Sequence, residues 1–262
     1  MSRAHRLADP TAARADARRP LPRDMLSEFG VCRFCRGPTQ PGYRRCFCCA
    51  TVAAHLGMPL VPVVAMTTYQ LGDEMHRTLR GYKDAPSATT RRRCVDRCAS
   101  LLAAFVDGRR PGIESISGGP WDSVVTVPSS TTPGRSPVDA VVAAVGSLSV
   151  AHRRLLVKGP GRLDHLHPSR SGFVVDPRVD LATLGRHRVL VVDDSYTTGA
   201  RAQSAATALR LVGMRVGAIL ALGRVVAPHS CPWHAAFWAA YAGDGASGHN
   251  VGCTAPECER EW

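Results

Sequence analysis

No apolar run in this chain approaches the ~20 residues that cross a bilayer, and no apolar h-region follows its first residues. Membrane insertion and a secretory leader are therefore not expected, and the cytoplasm is the expected compartment. The Arg- and Ala-rich start hints at a transit peptide, but Asp9, Asp16 and Asp24 count against one. Aromatic residues are sparse, at 6%, which leaves few rings for stacking on bases. Carboxylates are scarce as well: 21 Asp and Glu face 33 Lys and Arg, a net charge of +12. That excess suits polyanionic partners, and an arginine-rich composition alone would produce it equally well.

What is present is concentrated at Val189–Arg201 (VLVVDDSYTTGAR). Four aliphatic residues without alternation read as a parallel strand buried on both faces. Asp193 and Asp194 stand at its carboxyl end, where open α/β sheets bind ligands. A helix then opens with Ala202, Ala205, Leu209 and Val212 on one face, and Gly213 is placed to end it. The turn between offers hydroxyls and helix-start N–H groups to an anion. A phosphate cradle beside an acidic pair suggests a phosphorylated ribose. A receiver domain also opens on such a strand but needs roughly 120 residues after it.

A second strand–loop–helix unit is read at 122–149. Ser123–Val127 make a buried strand, Ser129, Ser130, Thr131 and Arg135 form an anion-receptive loop, and Ser136 and Pro137 start a helix. Short strands are expected at 154–157, 173–175 and 215–222, giving about five parallel strands with right-handed crossovers. An amphipathic helix is expected from Ser87 to about Asp107, with Cys94 and Cys98 read as small buried hydrophobes.

Two Cys-x-x-Cys pairs, Cys32/Cys35 and Cys46/Cys49, have the spacing of two knuckles of one tetrahedral zinc site, with Cys48 as an alternative to Cys49. Four thiolates leave no open position, so the expected role is structural. Cys231, His234, Cys253 and Cys258 could form a second site, or be free side chains of a tail. The domain reading is a disordered basic arm at 1–28, a zinc-ribbon-like module at 29–58, an α/β domain at 59–226 and a Cys/His-containing tail at 227–262.

The Val189–Arg201 stretch resembles the phosphoribosyl pyrophosphate (PRPP) motif of type I phosphoribosyltransferases. The resemblance implies that fold: a parallel sheet flanked by helices. It gives Asp193 and Asp194 the ribose hydroxyls, and Ser195, Thr197, Thr198, Gly199 and Ala200 the surroundings of the 5′-phosphate. It gives Ser129, Ser130, Thr131 and Arg135, with Lys83, to pyrophosphate, and it implies Mg²⁺ held largely by PRPP oxygens and water. The order of four cysteines, a tyrosine-led strand, a helix ending in Leu79-Arg-Gly-Tyr-Lys-Asp84 and then this core resembles the ComF-like competence family. That resemblance implies a link to DNA uptake or processing, with single-stranded DNA or a DNA helicase as partner. The segment Gly134-Arg-Ser-Pro-Val-Asp139 departs from the Arg-Gly-Phe-Asn-Gln-like pattern of ComF-like chains. Two expectations follow: a phosphoribosyltransferase acting on an unknown nitrogen acceptor, or a non-catalytic nucleic-acid or helicase binding module.

Overall fold

The computed structural model of the chain describes residues 30–129 and 136–242. The arm at 1–28, three residues of the anion loop (Ser130, Thr131 and Arg135), Cys253 and Cys258 lie outside them. The central sheet has four parallel strands in the order β1-β6-β5-β2: β1 is Val63–Tyr69, β2 Ser123–Thr126, β5 Arg188–Tyr196 and β6 Arg215–Val225. β5 lies inside the sheet, and its side chains serve two cores. Val189 and Val191 face one side, Leu190 and Val192 the other, and all four are fully buried. The absence of alternation at these positions follows directly from that double burial.

On the first face lie α1 (Phe47–Leu56) and α7 (Ala200–Leu211). Small residues let α7 approach closely: Ala202, Ala205, Ala206 and Ala208 are buried with Leu209. Gly213, at φ 92°, follows the last turn in a left-handed conformation that suits glycine. Cys32, Cys35, Cys46 and Cys49 belong to this same core, so the cysteine module sits on the sheet rather than apart from it.

The second face is covered by α2 (Glu74–Asp84) and α3 (Ala88–Ser117). α3 runs ten residues beyond the expected end at Asp107. Pro111 lies on its exposed side, and the buried stripe Cys98, Leu102, Val106, Ile113, Ser117 continues past it. Packing of that stripe outweighs the one backbone hydrogen bond a helical proline forfeits. Cys98 is fully buried here, as read from sequence.

Two other expectations are corrected. The segments near 154–157 and 173–175 do not join the parallel sheet. They form a separate antiparallel pair, β3 (Leu156–Lys158) with β4 (Phe173–Val175), and a lone parallel bridge from Val124 to His152 marks where the main sheet stops. Three residues are too few to complete a buried sheet position, and both strands instead pack on α7. The helix expected to run from Ser136 to Ser149 is broken into α4 (Val138–Ala143) and α5 (Gly146–Ser149) around an extended Val145. The break lets Val141, Val142, Val145 and Leu148 all turn inward. α6 (Leu181–Leu184) and α8 (Pro232–Ala242) complete the described elements. No helix among the described residues is long and apolar enough to cross a membrane.

Candidate functional site

β5 and β2 run side by side, with Val127 N–H donating to the Val192 carbonyl at 3.0 Å. Their carboxyl ends therefore open at one edge of the sheet; β5 feeds a turn and a helix there, and α4 is the next described element after β2. The β5 turn is the better built. Gly199 takes φ 86°, and the Tyr196 phenol occupies the space that a Cβ at 199 would fill. Glycine is thus required twice, by backbone conformation and by contact. Thr198 Oγ1 donates to the His165 carbonyl and accepts weakly from Ala200 N at 3.4 Å. The resulting turn leads straight into the N-terminus of α7 at Ala200, where free N–H groups and the helix dipole favour an anion.

The acidic pair stands just before this turn. Asp193 Oδ1 accepts from Asp194 N at 3.0 Å. Burial and the neighbouring Asp194 charge push the Asp193 carboxyl up to about 7, against the pull of Lys83 and Arg201. Asp194 Oδ2 receives both the Tyr82 hydroxyl and the Lys83 ammonium. Tyr69 OH bonds Ser195 Oγ at 2.6 Å, and burial lifts the Tyr69 phenol to about 12. Both tyrosines are therefore neutral hydrogen-bonding groups at any physiological pH. Arg201, on the first turn of α7, reaches across to the Pro128 carbonyl at 2.5 Å and lies over the Phe173 ring. It ties the β5 turn to the start of the Ser129 loop.

Sequence reasoning placed Asp193, Asp194, Ser195, Thr197, Thr198, Gly199 and Ala200 together, and the structure brings them to one edge. Lys83, read as a pyrophosphate residue, lies at the same edge and pairs with Asp194. Ser129 is half-buried at the end of β2. Tyr69, Tyr82, Arg201 and Arg224 were not singled out as site residues. For the tyrosines and Arg201 no local pattern announces the role. Arg224 does carry a signal: it is the one charge in the buried run Ala218–Val226.

The cysteine cluster lies on the other side of the β5 turn. Cys32 and Cys35 flank a tight loop in which Cys32 N donates to the Gly37 carbonyl at 2.9 Å. The second pair is the first turn of α1, with Cys46 as N-cap and its sulfur accepting from Cys49 N at 3.5 Å. A helix start thus carries the second pair, and Phe47–Leu56 buries Cys49, Val52 and Leu56 on one side. All four ligand atoms lie within 4.8 Å of one another, and Cys35 Sγ to Cys46 Sγ is 3.7 Å. Tetrahedral Zn–S bonds of ~2.3 Å require sulfurs about 3.8 Å apart, so the cluster fits a structural zinc. Hydrogen bonds with the other thiols, and then burial, push Cys46 and Cys49 up, while hydrogen bonds from the other thiols pull Cys32 down. Such crowding of sulfur is relieved by a shared cation. Cys48 stands outside the group.

Cys231 is buried at the start of α8, and His234 Nδ1 meets Ser230 Oγ at 3.0 Å. Burial and the nearby Arg224 charge drive His234 down to about 4. Among the described residues neither joins a metal-ligating group. A scan against models of protein families and a search of curated proteins both find no match to this chain.

Proposed function

We propose that the carboxyl edge of β5 and β2 is a PRPP site on a type I phosphoribosyltransferase fold, and that the chain transfers ribose 5-phosphate from PRPP to a nitrogen acceptor. The observation that carries this reading is the juxtaposition at β5: an acidic pair, a hydroxyl-bearing turn with left-handed Gly199, and a helix N-terminus, in immediate succession at the end of an inner parallel strand. The turn Thr197–Ala200 would hold the 5′-phosphate, and Asp193 and Asp194 would accept from the ribose 2′- and 3′-hydroxyls. Ser129 and the loop after it would receive the pyrophosphate.

In the reaction the C1′–oxygen bond to pyrophosphate breaks and its electron pair leaves with that group. The acceptor nitrogen forms the new C1′–N bond from the opposite face and loses its proton. The transfer needs no nucleophile from the protein, whose task would be orientation and charge placement. One of the two carboxylates would also stabilise the positive charge that develops on the sugar. Lys83 and Arg201 limit their repulsion until sugar hydroxyls replace the Tyr82 and Lys83 contacts. Mg²⁺, when bound with PRPP, would neutralise the departing oxygens, held mostly by those oxygens and water.

Calorimetric titration of Mg²⁺–PRPP tests the site. Saturable binding is expected, and it should vanish in Asp193→Asn/Asp194→Asn. Absence of heat in the unaltered protein would sink the reading.

A second reading has its own observation. Arg33, Arg44 and Arg45 are exposed around the cysteine module, next to Tyr43 and Phe47, which are 62% and 44% exposed. Cations interleaved with rings suit single-stranded nucleic acid. Binding of a fluorescent single strand should weaken linearly with log salt, and a flat salt response would exclude it.

A further inference from the structure

Between the cysteine cluster and the β5 turn lies one buried cation, Arg224, at the carboxyl end of β6. It is 6% exposed. On one side its Nη1 donates to the Tyr196 carbonyl at 3.0 Å and the Thr197 carbonyl at 2.5 Å, and the guanidinium stacks 5.5 Å from the Tyr196 ring centre. On the other side it presses on the loop after Cys35. A Cβ at Gly37 would stand 2.6 Å from Nη2 and 2.7 Å from Nε, so this approach requires glycine. Nε is buried without a hydrogen-bond partner.

A buried guanidinium needs an opposite charge nearby. Among the described residues no carboxylate forms an ion pair with Arg224. Its electrostatic partners are the sulfurs of Cys35, Cys46, Cys48 and Cys49. Four thiolates around a divalent ion carry a net charge of about −2, which would balance the guanidinium from the side where Nε has no partner. Charged groups set around the ligands of a metal centre help to orient them.

We propose that Arg224 is a positioning residue that couples metal at the four cysteines to the order of the Tyr196–Ala200 turn. The ion fixes the Cys32–Cys35 loop; that loop fixes the guanidinium; the guanidinium holds the carbonyls of Tyr196 and Thr197. Tyr196 passes the constraint on, because its ring fills the space over Gly199 and its hydroxyl accepts from Gln203 Nε2 at 3.4 Å. The coupling stands on these contacts alone. That the turn thereby becomes competent for a phosphate rests on the function proposed above.

The test uses the full chain, with zinc content measured for each sample, and compares hydrogen exchange at the amides of 197–200 with that at Leu190–Val192. In unaltered protein, removing metal with a chelator should speed exchange in the turn by about tenfold while the strand stays protected. In Arg224→Lys, which keeps the charge but loses the forked donor, metal should still bind at one per chain. Its turn should exchange at the metal-free rate and no longer respond to chelation. Gly37→Ala, which displaces the guanidinium without touching it chemically, should behave likewise and serves if Arg224→Lys does not fold. The proposal is overturned if turn and strand open together on chelation, or if the variants respond to chelation as the unaltered protein does. Titration of Mg²⁺–PRPP into the same samples separates the two readings. Coupling without any PRPP binding refutes the function and leaves Arg224 in its role, whereas PRPP binding insensitive to metal and to Arg224 does the reverse.

Discussion

The two strand–turn–helix units at the sheet edge treat their carboxylates in opposite ways. In the β5 unit, Asp193 is half-buried beside a second carboxylate, and desolvation and that neighbouring charge raise its pKa to about 7. In the β2 unit, burial also works against the Asp139 charge, but the His152 ring 3.6 Å away, the Thr126 hydrogen bond and the charge of Arg154 outweigh it and hold that carboxyl below its ordinary value. Asp139 accepts from Thr126 Oγ1 at 2.5 Å and from Ser136 N at 3.3 Å, and pairs with Arg154 at 3.0 Å. Its negative charge is fully answered, as in a group that maintains structure. The Asp193 charge is only partly answered, and the function proposed above uses that carboxylate to accept from a ligand. The same topology therefore surrounds one carboxylate with hydrogen-bond and charge partners and leaves the other pair incompletely neutralised.

The largest effect should come from the support beneath the β5 unit. Cys32→Ser should abolish metal binding and lower stability by about 5 kcal/mol or more, given that metal supplies ~10–16 kcal/mol to isolated fingers. Cys48→Ser should retain the metal and unfold within a few degrees of the unaltered protein. Metal analysis and thermal melts check both. Equal metal loss in the two variants would mean that Cys48 is a ligand.

Asp139→Ala should destabilise by about 3 kcal/mol, because it leaves Thr126, His152 and Arg154 without their shared acceptor. Its signature is in pH. A carboxyl with a depressed folded pKa contributes stability that is present above its unfolded value, near 4, and lost as pH falls through the folded one. Urea midpoints of the unaltered protein should therefore drop below about pH 4, and those of Asp139→Ala should drop less. An unchanged acid limb would show that Asp139 is not the anchor of the β2 unit.

Asp193→Asn should do the opposite and stabilise the chain by about 2 kcal/mol at pH 8. With the folded pKa raised, the native state binds the proton more tightly than the unfolded state between about pH 4 and 7, so stability falls as pH rises through that window. Removing the acid removes the slope. Stability gained with ligand binding lost is the usual exchange at a functional site. A variant that is destabilised at pH 8 would show that the Asp193 charge is structural, and the comparison between the units would collapse.

How far these features were readable in sequence follows from what each rests on. Val189–Val192 announce a doubly buried strand by themselves, and Gly199 and Gly213 mark the ends of α7 because the backbone there requires them. The cysteine pairs reveal their partnership through spacing, although not that the second pair opens a helix. The continuation of α3 past Pro111 was hidden, since a proline on the exposed side stops a helix only when packing does not carry it on. The displacement of β3 and β4 into their own antiparallel pair was equally hidden, because three-residue apolar runs do not reveal their neighbours. Tyr69 and Tyr82 join the site through tertiary contact alone. Arg224 could have been found: one cation inside a nine-residue buried run must have a counter-charge, and the cysteines are the unassigned anions.

The smallest effect should come from Lys83, whose side chain is 33% exposed. A half-solvated ion pair contributes little on its own, so Lys83→Met should change stability by about 1 kcal/mol or less at neutral pH. Its consequence for the acid pair is more telling. Lys83 is the first of the two cations that hold Asp193 down against burial and against Asp194. Without it the Asp193 transition should move to higher pH, and the stability slope that Asp193→Asn abolishes should extend further above 7. Comparing urea midpoints of Lys83→Met with those of the double variant Lys83→Met/Asp193→Asn across pH 5–9 isolates this shift. If the slope stays where it was, Lys83 acts on Asp194 alone, and Arg201 is left as the cation that moderates Asp193.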